Sequence, residues 1–177
     1  IPLYKRLHEK GCIELSVTPY YHPILPLLCD TRQALTAMPR VTLPATAFRH
    51  PEDASAQIRR GIEYFREIFG FTPRGMWPSE GSVSNETLAI IADCGIGWIA
   101  TDEEILAKSL DGGLGEGRER LYRPWRYSCP QGEVGAFFRD HQLSDLIGFT
   151  YSKWDAGRAV SDLCGRLHAV RSRLGGE

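Results

Sequence analysis

Residues 75–104, GMWPSEGSVSNETLAIIADCGIGWIATDEE, decide the fold. Gly75 to Trp77 reads as a short strand stopped by Pro78, and Ser84 stands where a helix N-cap is wanted. Apolar residues continue at helical spacing to about Cys94, and Gly97 to Ala100 is a second short strand leading into a helix near Asp102. Two βα units in direct succession predict neighbouring parallel strands joined by right-handed crossovers. Upstream, His50-Pro51 opens a helix in which Ala54, Ile58, Ile62, Phe65 and Phe69 recur at helical spacing until Gly70. Leu3 to Lys10 is a helix closed by Gly11, and Cys12 to Thr18 is strand-like, with Ile13, Leu15 and Val17 on one side. Downstream, the glycines of Leu110 to Gly117 exclude regular structure, while Leu121 to Tyr127 and Gly135 to Phe138 read as strands. Asp155 caps a last helix with Val160, Leu163, Leu167, Val170 and Leu174 on its expected buried side. With no convincing hairpin, the fold class is α/β, a parallel sheet forming a barrel or part of one.

Composition narrows the function. The chain has 177 residues, 42% hydrophobic and 24% charged, as in an ordinary soluble protein, and is read as a single domain over 1–177. Lys+Arg 21 against Asp+Glu 22 leaves a formal charge of -1, so no cation surplus is available to track nucleic acid or an anionic membrane. The apolar runs Ile24 to Cys29 and Thr87 to Ala92 fall far short of the roughly 20 residues that cross a bilayer. Cys12, Cys29, Cys94, Cys129 and Cys164 include no C-x-x-C pair; they read as free, mostly buried thiols of a reducing, cytoplasmic compartment. The Ile1-Pro2-Leu3 start suggests a piece of a longer protein. No cofactor and no metal centre are expected.

Reactive groups of a parallel α/β sheet gather where strands end and loops begin, so polar residues just after each strand are the candidates. The first strand contains Glu14 and leads to Tyr20-Tyr21-His22, and the second ends Trp77-Pro78-Ser79-Glu80. The third ends Asp102-Glu103-Glu104, a run that reads as a helix start, and the last ends Arg139-Asp140-His141. Trp125, flanked by Arg123 and Arg126, is a further candidate lining residue. Carboxylates beside indole, phenol and imidazole groups suit a carbohydrate cleft: aromatic faces cover a sugar ring while two acids divide the work at the glycosidic bond. One acid must be kept protonated and the other ionised, which burial against Trp77 and a cation such as Arg139 can accomplish.

Gly11-Cys12-Ile13-Glu14-Leu15, Tyr21-His22-Pro23-Ile24-Leu25-Pro26-Leu27-Leu28, Met76-Trp77-Pro78-Ser79-Glu80 and Phe138-Arg139-Asp140-His141-Gln142-Leu143-Ser144-Asp145, in this order, resemble glycoside hydrolase family 57. The resemblance implies a retaining enzyme acting on α-glucans, with an incomplete (β/α)7 barrel of parallel strands of which this chain is the central part. It implies Glu80 as nucleophile and Asp140 as general acid/base, with Glu14, His22, Trp77 and His141 binding sugar. The His-Gln-Pro segment of the family's first barrel strand and the helical region after the barrel have no counterpart here, so association with missing parts of the enzyme, or homodimerisation, is expected of unpaired strand edges. Two rival readings stand beside this one. A metal-dependent deacetylase or mannosidase needs clustered ligands, whereas His22, His50 and His141 are far apart in sequence. A truncated or degenerate glucan-binding barrel would bind sugar without cleaving it.

Overall fold

The computed structural model describes residues 1–175, which separate into two compact units: Ile1–Thr101 with Pro124–Phe137, and Asp102–Arg123 with the chain from Phe138 onward. Its helices are α1 (Pro2–Glu9), α2 (Leu25–Cys29), α3 (Ala34–Ala37), α4 (Pro51–Phe69), α5 (Asn85–Asp93), α6 (Glu103–Ser109), α7 (His141–Asp145) and α8 (Ala156–Arg173). Its strands are β1 (Ser16–Val17), β2 (Gly75–Met76), β3 (Trp98–Asp102), β4 (Trp125–Cys129) and β5 (Gly132–Arg139), in the sheet order β1-β2-β3-β5-β4.

In the first unit β1, β2 and β3 are parallel and in register, Ser16 opposite Gly75 and Gly75 opposite Trp98. The predicted helix α4 packs through Ala54, Ile58, Gly61 and Phe65. Gly61 is required there, because a Cβ would lie 2.7 Å from the Thr18 carbonyl oxygen. The helix stops at Gly70, whose φ of 84° is open to glycine at little cost. Ser84 caps α5 reciprocally, accepting from the Thr87 amide while its own amide donates to Thr87 Oγ1. Leu25, Ile58, Met76, Ile91, Ile96, Ile99 and Val134 are fully buried, each contributing about 1.5–3 kcal/mol by leaving water. Gly75 lets the Trp98 indole lie over β2, since a Cβ there would fall within 2.0 Å of the ring.

Several expectations are corrected. β4 and β5 form an antiparallel hairpin, Trp125 opposite Ala136 and Cys129 opposite Gly132, so the sheet is mixed rather than wholly parallel. Pro130-Gln131 carries no hairpin signal because the positive φ of this turn falls on the following residue, Gly132 at 142°, and not on the central pair that marks the commonest hairpins. The expected strand Cys12 to Thr18 shrinks to Ser16–Val17, since β2, its partner, is confined between Pro73 and Pro78. Leu121 is buried but lies in a turn before β4. Of the five thiols, all free, Cys29 alone is buried, Cys94 and Cys129 are half-buried, and Cys12 and Cys164 are exposed.

In the second unit Asp102, Asp140 and Asp155 cap α6, α7 and α8 by accepting from the Glu104, Leu143 and Arg158 amides. The face expected to be buried on α8 is open: Val160, Leu167 and Leu174 are exposed, Leu163 and Val170 half-buried, and Ala159 is the buried position. Helical periodicity identifies an apolar face without supplying the surface that covers it.

Candidate active site

Three non-glycine residues among those described adopt positive φ: His22 at 57°, Glu80 at 54° and Arg118 at 59°. Each such conformation costs on the order of 1–3 kcal/mol and persists only where surrounding contacts impose it. His22 and Glu80 are hydrogen-bonded to each other in the first unit, and Arg118 faces Asp140 in the second. Backbone strain therefore singles out the surroundings of both candidate catalytic carboxylates.

Glu80 sits in a 3-10 turn, Ser79–Gly81, directly after the proline that ends β2. The turn is closed by the Gly81 amide donating to Pro78 O (2.8 Å) and the Ser82 amide to Ser79 O (3.0 Å). Buried Thr101 of β3 donates its hydroxyl to the Gly81 carbonyl and ties the turn to the sheet. Ser79 is fully buried while the Glu80 side chain is 73% exposed, so the turn anchors one residue and presents the next. His22 approaches from the loop after β1, which α4 holds: the Tyr20 amide donates to Gln57 O (3.1 Å) and the Tyr21 amide to Gln57 Oε1 (2.9 Å). His22 Nε2 lies 3.1 Å from Glu80 Oε1, and Nδ1 lies 3.1 Å from Thr18 Oγ1.

The other sugar-contact candidates of this unit are placed differently. Glu14 precedes β1 and accepts from the Trp98 indole N–H at 2.8 Å, at the starts of the parallel strands, whereas Glu80 follows the end of β2. Half-buried Trp77 links β2 to β1 through its amide, which donates to Val17 O at 2.8 Å. Half-buried Trp125 opens β4 opposite Ala136.

In the second unit Asp140 caps α7, accepting from the Leu143 amide at 2.9 Å and from the Tyr122 hydroxyl at 2.5 Å, with Arg118 3.7 Å away. Its side chain is only 9% exposed. Burial pushes its pKa up, but the Tyr122 hydroxyl, the Leu143 amide and the Arg118 charge together prevail and hold it below the ordinary carboxylate range. The Tyr122 phenol is pushed up to about 12, first by burial and then by the Asp140 anion. The cation expected beside Asp140 was Arg139; Arg139 instead donates to Asp102 Oδ2 at 2.7 Å, and Arg118 takes its place. His141 bridges Asp102 (3.3 Å) and Asp145 (3.1 Å). Burial likewise opposes ionisation of Asp102, and the Glu104 amide, Arg139 and His141 outweigh it. A cavity of about 330 Å3 beside Asp140 is lined by Arg118, Gln142, Leu143, Arg166 and Arg173 among others.

Sequence reasoning missed Thr18, Thr101, Arg118 and Tyr122. Only Thr18, four residues before His22 and on the same loop, left a readable trace. Among the described residues no group of three or more His, Cys, Asp or Glu is arranged to hold a metal ion, and no helix is long and apolar enough to cross a membrane.

The chain is 29% identical to an α-amylase of Pyrococcus furiosus over 84% of its own length and 19% of that protein's. Among solved structures, the α-amylase AmyC of Thermotoga maritima superposes with a TM-score of 0.57 at 24% identity, over 81% of this chain and 23% of that one. The 4-α-glucanotransferase of Thermococcus litoralis superposes with a TM-score of 0.58 at 23% identity, over 84% and 19%. At such identities the two structures establish a shared fold. The chain spans a fifth or less of the length of the first relatives it matches. The profile of one family matches residues 1–176, practically end to end, and spans all three strained residues and both carboxylates: the chain belongs to glycosyl hydrolase family 57.

Proposed function

We propose that the protein cleaves or transfers α-glucan chains by double displacement, with Glu80 as nucleophile and Asp140 as general acid/base. The observation that carries this reading is Glu80 itself: an exposed carboxylate held at a φ of 54° by a turn pinned on both sides, in a family 57 chain. In the first step a Glu80 oxygen bonds to the anomeric carbon as the bond to the leaving oxygen breaks, and that oxygen takes the Asp140 proton. In the second step water or a sugar hydroxyl gives its proton to Asp140 while its oxygen bonds to the anomeric carbon and expels Glu80. The surroundings of Asp140 favour the anion, which is the form the second step needs. Loading the acid for the first step requires a bound sugar to displace the Tyr122 or Arg118 contact and so raise its proton affinity.

Resemblance to both an α-amylase and a glucanotransferase makes water and a sugar hydroxyl equally natural acceptors. Trp77, Trp125 and His141 are the proposed sugar contacts, and Glu14, engaged with Trp98, supports the start of the sheet. We read the chain as the central part of a catalytic β/α barrel in a longer cytoplasmic enzyme, in keeping with five free cysteines. In the full-length protein, Glu80→Gln is expected to lower turnover of defined α-1,4 and α-1,6 oligosaccharides by orders of magnitude without unfolding the domain. The wild-type products should keep the anomeric configuration of the substrate. Near-normal activity of a folded Glu80→Gln variant, or inverted products, overturns the assignment.

A further inference from the structure

We infer that Thr18 is a positioning residue that fixes the tautomer of His22, so that His22 presents an N–H to Glu80 and aims its carboxylate. This rests on the reading of Glu80 as the nucleophile.

The geometry leaves few protonation patterns. Both imidazole nitrogens are engaged, Nδ1 with Thr18 Oγ1 and Nε2 with Glu80 Oε1, each at 3.1 Å. A neutral imidazole has one donor and one acceptor nitrogen. An ionised Glu80 accepts only, so Nε2 must carry the hydrogen; Nδ1 is then a bare lone pair that needs a donor. A threonine hydroxyl rotates freely enough to donate, and Thr18 is the group within reach. For the neutral imidazole the directed chain is therefore Thr18 O–H to His22 Nδ1 and His22 Nε2–H to Glu80 Oε1. The reverse tautomer would place a lone pair against a carboxylate lone pair and repel it.

The backbone is arranged for this chain. Thr18 directly follows β1, and its carbonyl lies close against Gly61 of α4, where a Cβ would come within 2.7 Å of it. His22, at a φ of 57°, reaches Nδ1 back four residues to Thr18, and Glu80 meets it from a turn with a φ of 54°. The two left-handed residues thus serve a single hydrogen bond between their side chains. Holding one carboxylate oxygen in this way leaves the other to attack, and loss of such orientation slows the chemical step more than it weakens binding.

The test uses the full-length protein and its Thr18→Val and Thr18→Ser variants, with an α-maltosyl fluoride as substrate because its leaving group needs little protonation. Thr18→Val is expected to lower kcat about tenfold at nearly unchanged KM, and Thr18→Ser to restore it to within about twofold. In 15N-histidine spectra, with His22 assigned by its Asn variant, the Nε2–H tautomer should dominate in wild type and Thr18→Ser and give way to a mixture in Thr18→Val. Thr18→Val with wild-type kcat and spectrum overturns the inference, as does a Thr18→Ser variant as slow as Thr18→Val, which would indicate packing alone. Should wild type fail to turn over the fluoride, the nucleophile reading falls, and the tautomer spectra still decide whether Thr18 sets the proton on His22.

Discussion

Replacing Tyr122 by Phe removes one hydroxyl and little else, which makes it a clean probe of the Asp140 cluster. The phenol donates to Asp140 at 2.5 Å in a place where the carboxylate is only 9% exposed. A hydrogen bond to a charged group contributes about 1.5–3 kcal/mol, and the lower end applies because the Leu143 amide and Arg118 still serve the anion after the change. The sign with pH follows from the direction of the Asp140 shift. Its carboxyl is depressed in the folded protein, so its contribution is complete above the unfolded value near 3.9 and is lost as pH falls through the folded value. The phenol, with its pKa pushed up to about 12, remains a donor throughout. Urea denaturation should therefore show Tyr122→Phe less stable than wild type by about 1.5–2 kcal/mol at pH 7, with the gap shrinking once pH drops below about 4. In activity, the same substitution raises the Asp140 pKa and moves the alkaline limb of kcat/KM to higher pH. A stability gap that is independent of pH, or absent at pH 7, refutes the claim that Tyr122 acts through the Asp140 charge.

Two further outcomes are expected. Gly75→Ala puts a methyl within 2.0 Å of the Trp98 ring, so the indole must shift and give up its bond to Glu14; a loss of about 2–4 kcal/mol is expected from overpacking and the lost hydrogen bond together, and a melting temperature equal to wild type would show that the indole does not lie over β2. With a disulfide thiol reagent at pH 8, exposed Cys12 and Cys164 should react first, while Cys29, buried and with its thiol pushed up to about 11 by burial and then by the Glu86 charge, stays unmodified until the protein unfolds; equal rates at Cys29 and Cys12 would contradict this.

Local signals carried much of the fold. The Pro51 start and Gly70 stop of α4, the Ser84 cap of α5 and the aspartate caps of α6 and α8 were legible because each depends on residues within one helical turn. The β4–β5 hairpin was hidden by a turn whose special backbone angle falls outside its two central residues, and the exposure of Val160 and Leu167 was hidden because an apolar stripe says nothing of what faces it. Glu80, Asp140 and His22 stood out because reactive side chains at strand ends lie in short motifs.

The partners of those side chains are another matter. The order of residues along the chain determined the candidate carboxylates, the family they belong to and the strand ends that bear them. Only the folded backbone decided that His22 turns onto Glu80, that Arg118 rather than Arg139 faces Asp140, and that Tyr122 completes its shell. Separations of 58, 22 and 18 residues are closed by the sheet and by left-handed turns, and no local periodicity encodes a contact over such spans.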